Sequence, residues 1–169
     1  MIDQGPSTIQ PCATLVAAMA SGPDALFTLP AERARIIMGE VLLTVLVPNR
    51  EDTRLVRIYS SDERRYPLEE AHHVEDSRWF RQIFAERRPV IANDEEEIAA
   101  WHPGFGGDGK SDHGALANLP VIAGGQVLGI VNLMSPTRRF TERRLRDLQA
   151  ELPAAALGVM IADRFRHDI

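Results

Sequence analysis

Cysteine is nearly absent: Cys12 is the only one among 169 residues. A single thiol excludes an internal disulfide, a cysteine-built zinc site and any reaction that needs a resolving cysteine within one chain. The apolar stretch ATLVAAMA near the N-terminus falls short of the roughly 18 residues a membrane span requires, and no basic n-region precedes it. Those two shortages predict a soluble, cytoplasmic protein with no membrane partner. Basic residues are outnumbered, 19 Lys and Arg against 24 Asp and Glu, for a net charge of −5 and no large basic block. General nucleic-acid binding, which relies on Lys and Arg to neutralise phosphates, is therefore not expected. What remains is an ordinary globular balance, 44% apolar and 25% charged. A chain of this length suits one domain that buries roughly 70% of the surface exposed when unfolded.

The apolar pattern sets out the elements in order. A helix-prone segment runs from about Pro11 to Ala20 and stops at Ser21-Gly22-Pro23. A second helical region follows, interrupted at Pro30, and Gly39 suits the residue after its end. Leu42 to Val47 is apolar on both faces of a strand, and PNRED turns it back. In the returning strand, alternation puts Val56 and Ile58 on one face and Leu55, Arg57 and Tyr59 on the other. A polar loop carries Tyr66-Pro67 and His72-His73; Ser77 then caps a short helix with Trp79, Phe80, Ile83 and Phe84. A strand at Val90–Ala92 leads to a helix that Asn93 and Glu96 are spaced to cap and that ends near Trp101.

The stretch ALANLPVIAGGQVLGIVNLM reads as a hairpin about Gly124-Gly125. A two-residue turn sets Val121 opposite Leu128, Leu119 opposite Ile130, Ala117 opposite Asn132 and Pro120 opposite Gly129, which leaves Asn118 on the other face. The final helix opens on Phe140-Thr141, with Phe140 and Leu145 at hydrophobic-staple positions. Its seam is Leu145, Leu148, Leu152, Ala155, Val159 and Ala162, and Pro153 must bend or restart it. Tight turns between neighbouring strands make the sheet mainly antiparallel.

The phrases RIYSS followed by YP, WFRQIFAERRPVIAND, ANLPVIAGGQVLGIVNL and FTERRLRDLQ together resemble the GAF domain, a small sensory module. The resemblance implies an α+β fold, an α/β sandwich: an antiparallel sheet with the N- and C-terminal helices on one face and a ligand pocket on the other. It divides the chain into an N-terminal helical extension, 1–25, and a GAF-like domain, 26–165. It also implies a homodimer formed through the terminal helices. With little chain left for an output domain, output is expected from the dimer or a partner protein. The cysteine-dependent methionine-sulfoxide reductases and pigment-attaching members of the family lack a counterpart here, as does the Asn-Lys-Phe-Asp-Glu pattern of the cyclic-nucleotide-binding group.

Six residues are candidates for ligand contact: Arg57, Tyr59, Tyr66, Trp79, Asn118 and Asn132. A buried amide needs partners, either backbone and water or a ligand's donors and acceptors. A guanidinium in a strand is either a solvated surface group or a fork that matches carboxylate or phosphate. The aromatics, Trp101 included, serve as core or as pocket walls. The implied ligand is a small molecule, an anion being one option; no cofactor is identified. GFGGDGKS at 104–111 matches the P-loop expression, but a hairpin follows where a helix is required, so the reading is a loop in which Lys110 could meet an anion. His72, His73, Glu75, Asp76, His102, Asp112 and His113 have no helix-face metal spacing and read as solvated loop residues. Two other functions stay open: a small GAF-related enzyme that uses a base such as His102, His113 or Asp112 on a polar metabolite, and a ligand-free dimerisation scaffold.

Overall fold

The computed structural model describes residues 10–49, 54–73, 77–102, 113–137 and 140–166. Two helices, α1 (Gln10–Ser21) and α2 (Pro23–Met38), precede the strands β1 (Leu42–Pro48), β2 (Arg54–Ser60) and β3 (Ala71–His73). Then come α3 (Arg78–Phe80), continuous with a π-helical turn (Arg81–Ala85), β4 (Val90–Ala92) and α4 (Glu95–Trp101). The hairpin β5 (Ala115–Ala123) and β6 (Gln126–Ser135) is followed by α5 (Glu142–Gln149) and α6 (Leu152–Arg166). The strands form one six-stranded sheet, β3-β2-β1-β6-β5-β4, antiparallel at every pairing.

The terminal helices cover one face. Phe27, Ala34 and Met38 from α2, Leu145 and Leu148 from α5, and Ala155 and Val159 from α6 pack on Leu43, Val45, Val47, Ala117, Leu119, Val121, Val131 and Leu133. The break between α5 and α6 falls just before Pro153, as the missing amide requires. Thr141 caps α5 by accepting from the Arg144 amide at 3.3 Å, and Phe140 lies in the core with Leu145. Gly158 has no room for a side chain: a Cβ there would stand 2.6 Å from the Phe27 ring, so the α2–α6 contact depends on its absence.

Three local expectations are corrected. Pro30 does not interrupt α2; it is buried within an unbroken helix, because packing on the sheet and on α6 outweighs one lost backbone bond. The loop before Ser77 contains a further edge strand, β3, which pairs His72 with Leu55. The cap of α4 is Asp94, which accepts from the Glu97 amide at 2.9 Å. Asn93 instead ties β4 to the start of α5 through both backbone groups of Phe140, at 2.9 and 3.3 Å.

Two β-bulges overturn the simple alternation. Between β5 and β6, Ile122 pairs with Val127 but Val121 with Gly129, so Leu128 is an extra residue. The register beyond it shifts by one: Asn118 stands opposite Asn132, and Pro120 opposite Ile130 rather than Gly129. Between β1 and β2, Val45 pairs with Tyr59 but Leu46 with Arg57, which makes Ile58 the extra residue. Gly129 permits the close β1–β6 approach there, since a Cβ on it would lie 2.6 Å from the Leu46 carbonyl oxygen.

Candidate functional site

The face of the sheet away from the terminal helices has two apolar clusters with a polar row between them. One cluster joins Leu46, Leu55, Ile83, Val90 and Ile130; the other joins Ala92, Ile98, Leu116 and Met134, with Leu42 and Tyr66 against it. Trp101 packs on both, and the Arg78 guanidinium lies over its ring, 4.0 Å from the centroid.

The row follows the register straight across three strands. Thr44 on β1 pairs with Asn132 on β6, which pairs with Asn118 on β5. All three are buried, with no more than 7% of any one exposed. The Asn118 amide nitrogen donates to Asn132 Oδ1 at 2.6 Å, and the Asn132 amide nitrogen donates to Thr44 Oγ1 at 3.3 Å. From above, Trp79 Nε1 donates to Asn118 Oδ1 at 2.8 Å, and His102 Nε2 meets the same oxygen at 3.1 Å. An oxygen can only accept from that imidazole nitrogen, so His102 is the tautomer with its proton on Nε2. Burial pushes its pKa down, and the bond to Asn118 partly opposes the fall.

Arg57 follows Leu55 onto this face by alternation, ahead of the bulge at Ile58. It is only 5% exposed. One terminal nitrogen of its fork donates to the Pro67 carbonyl at 3.0 Å and to the Glu70 carboxylate, and the other meets His72 Nε2 at 3.2 Å. Its backbone pairs with the same segment: Arg57 N–H donates to Glu70 O at 3.0 Å, and Glu69 N–H to Arg57 O at 2.9 Å. Arg57 thus holds the crossing from β2 to β3 as a strap over the sheet. His72, as acceptor from a cation, is neutral there. Its pKa is lowered first by burial and further by Arg57, against the pull of Glu70. Within the strap, Tyr66 lies under the Arg57 guanidinium, 5.1 Å from centroid to carbon, and its hydroxyl hydrogen-bonds His113 Nε2.

Of the six candidates, five lie on this face: Arg57, Tyr66, Trp79, Asn118 and Asn132. Tyr59, expected beside Arg57, is turned by the bulge to the helix side, where its ring packs 5.4 Å from that of Phe27 and its hydroxyl approaches Thr28. Burial raises its pKa. The two asparagines, expected on opposite faces, are brought together by the bulge at Leu128, where Asn118 donates to Asn132. Sequence reasoning passed over Thr44, Glu70 and the bond from His102 to Asn118. The signal for Thr44 was legible: it is the one polar side chain in LLTVLV. Among the described residues, no group of three His, Cys, Asp or Glu side chains is placed to hold a metal. The P-loop-like segment with Lys110 and Asp112, together with Glu75 and Asp76, lies outside the described residues.

An antiparallel sheet sealed by terminal helices behind and carrying a strap, short helices and a polar row in front defines an α/β-sandwich domain. The sequence model of the GAF domain matches residues 21–157, and the chain belongs to this family. GAF domains are in general small-molecule-binding sensory and regulatory modules. No curated protein matches the sequence. Among solved structures, the GAF domain of an Acinetobacter phosphoenolpyruvate-protein phosphotransferase is similar at 13% identity and a TM-score of 0.65, over 94% of this chain and 97% of that one. The GAF-B domain of DevS from Mycobacterium smegmatis is 23% identical, with a TM-score of 0.58, over 87% of this chain and 99% of that one. The chromophore-binding domain of a bacteriophytochrome from R. palustris is 11% identical, with a TM-score of 0.64, over 94% of this chain and 64% of that one. Among the described residues, no helix is long and apolar enough to cross a membrane.

Proposed function

We propose that this domain is a sensor whose front face binds a small molecule, contacted by Asn118, Asn132, Trp79 and Tyr66, with Arg57 beside them. The observation that carries the reading is the buried row Thr44–Asn132–Asn118. A sheet that needed only to pack would place aliphatic side chains at these positions, as it does on the helix side, because buried amides must be desolvated. Arg57 acts mainly by holding the strap, since both of its terminal nitrogens already have partners. Tyr59 belongs to the helix side and is outside the site.

Output passes through a homodimer of the terminal helices. Support comes from large apolar side chains left exposed on that layer: Val16 and Met19 on α1, Ile36 on α2 and Met160 on α6. Ligand binding shifts the population of helix arrangements, and a partner protein reads the shift.

Native mass spectrometry of freshly purified protein tests both parts: it reports the subunit count and any retained small molecule. A thermal-shift screen across polar metabolites extends the test, because a ligand that binds only the native form raises the midpoint. A flat response would favour the scaffold reading, which the internally bonded row also supports. A monomer unchanged by Met160→Glu would remove the dimer.

A further inference from the structure

The polar row has a direction. Trp79 Nε1 can only donate, so the Asn118 atom facing it is the carbonyl oxygen. That choice turns the Asn118 amide nitrogen toward Asn132, so the Asn132 oxygen accepts and its nitrogen faces Thr44. His102 donates to the same Asn118 oxygen, which is thereby saturated. Protons therefore run one way, from Trp79 and His102 through Asn118 and Asn132 to Thr44. The row is left with three donors and two acceptors. Each of the two amide nitrogens keeps one N–H, and Thr44 keeps its hydroxyl proton, with no acceptor among the described residues. The spare acceptors are the second lone pairs of Asn132 Oδ1 and Thr44 Oγ1.

A second, separate observation has the same sign. Arg57 Nε is buried and, among the described residues, has no hydrogen-bond partner. Arg57 pairs with Leu46, two residues along β1 from Thr44, on the same face of the sheet. Spare donor capacity thus extends over four adjacent strands, from the unpartnered Arg57 Nε on β2 through Thr44 and Asn132 to Asn118 on β5. A buried N–H without an acceptor is rare in folded proteins and points to a missing group.

We infer that this site recognises its ligand through a hydrogen-bond-acceptor edge, a carboxylate or carbonyl oxygen, and that Trp79 and His102 are positioning residues that impose this polarity on the two amides. The inference rests on the front face being the ligand site and adds the chemical class of what binds there. A ligand that offers only N–H or ammonium donors has few lone pairs to meet and leaves the buried donors unsatisfied.

The test is a nuclear magnetic resonance titration of the full, 15N-labelled chain with sodium benzoate and, in parallel, benzylammonium chloride. The signals followed are the Arg57 Nε–H and the side-chain amides of Asn118 and Asn132. Benzoate is expected to move all three along one isotherm, while benzylammonium leaves them in place. Trp79→Phe keeps the ring but removes the donor that orients Asn118; it is expected to weaken benzoate about tenfold, the scale of one hydrogen bond. Asn132→Asp retains the shape and the bond from Asn118 but exchanges a donor for an acceptor, and it is expected to weaken benzoate further. It also serves as the test if Trp79→Phe fails to fold. Movement by benzylammonium and not by benzoate would overturn the polarity while leaving the ligand site intact. Unchanged benzoate affinity in both variants would overturn the role of the oriented amides. If neither probe moves any of the three signals, the ligand-site reading fails and the inference fails with it.

Discussion

The two faces of this sheet are made by the same strands and are held by different physics. Behind, the inward side chains at the centre of β1, β5 and β6 are aliphatic and pack in one apolar cluster with side chains of α2, α5 and α6. In front, the same strands put Thr44, Asn118 and Asn132 in a line, hydrogen-bonded to one another and to Trp79 and His102. Apolar packing is non-directional and tolerates small shifts in register. A row of amides tolerates none, because each donor must find its acceptor. The back holds the fold together, and the front has a specific chemical pattern that packing alone does not call for.

The sharpest way to break the comparison is to cut each face at its centre. Phe27→Ala removes a ring that is 1% exposed and opens a cavity between α2, α6 and the sheet. The expected loss is about 3–5 kcal/mol in urea denaturation. Asn118→Leu leaves the Trp79 N–H, the His102 N–H and an Asn132 oxygen without partners. It should cost about 2–3 kcal/mol, and pairing it with Asn132→Leu should cost less than the sum, since both partners of one bond then leave together. An additive double variant would show that the two amides are not coupled. Gly129→Ala forces β6 away from the Leu46 carbonyl; about 1–3 kcal/mol is expected, with amide-exchange protection lost first along the β1–β6 ladder.

The smallest effect is the pH response, and it should be confined to the front. His102 is neutral in the fold and its pKa is lowered below the ordinary 6.5. The unfolded chain therefore takes up a proton first, so this residue's contribution is complete above that value and is lost as pH falls through it toward the depressed folded pKa. His72 has the same sign on the strap. Hydrogen-exchange protection, taken relative to the intrinsic rate at each pH, should fall around Trp79 and the strap on acidification before the helix-covered strands respond, and His102→Gln should flatten the profile.

Much of the architecture could be read from the chain. The apolar run of β1, the hairpin turn at Gly124-Gly125, the cap at Thr141 and the restart at Pro153 are local devices. Each depends on residues within a few positions of one another, and each stands where the pattern put it. The candidate site was legible in its residue types but not in its assembly. Asn118 and Asn132 stood out as amides among aliphatics, yet a two-residue turn assigned them to opposite faces. Arg57 and Tyr59 were assigned to one face and occupy two.

Sequence by itself determined which residues are apolar, where strands begin and turn, and that polar side chains such as Asn118 and Asn132 stand within an apolar hairpin. Only the tertiary structure decided which of them meet. An extra residue in a strand reverses the facing of everything beyond it, and whether Leu128 or Ile58 is extra depends on how β6 closes against β1 and how β1 pairs with β2. Those are contacts between distant parts of the chain, and no local pattern encodes them.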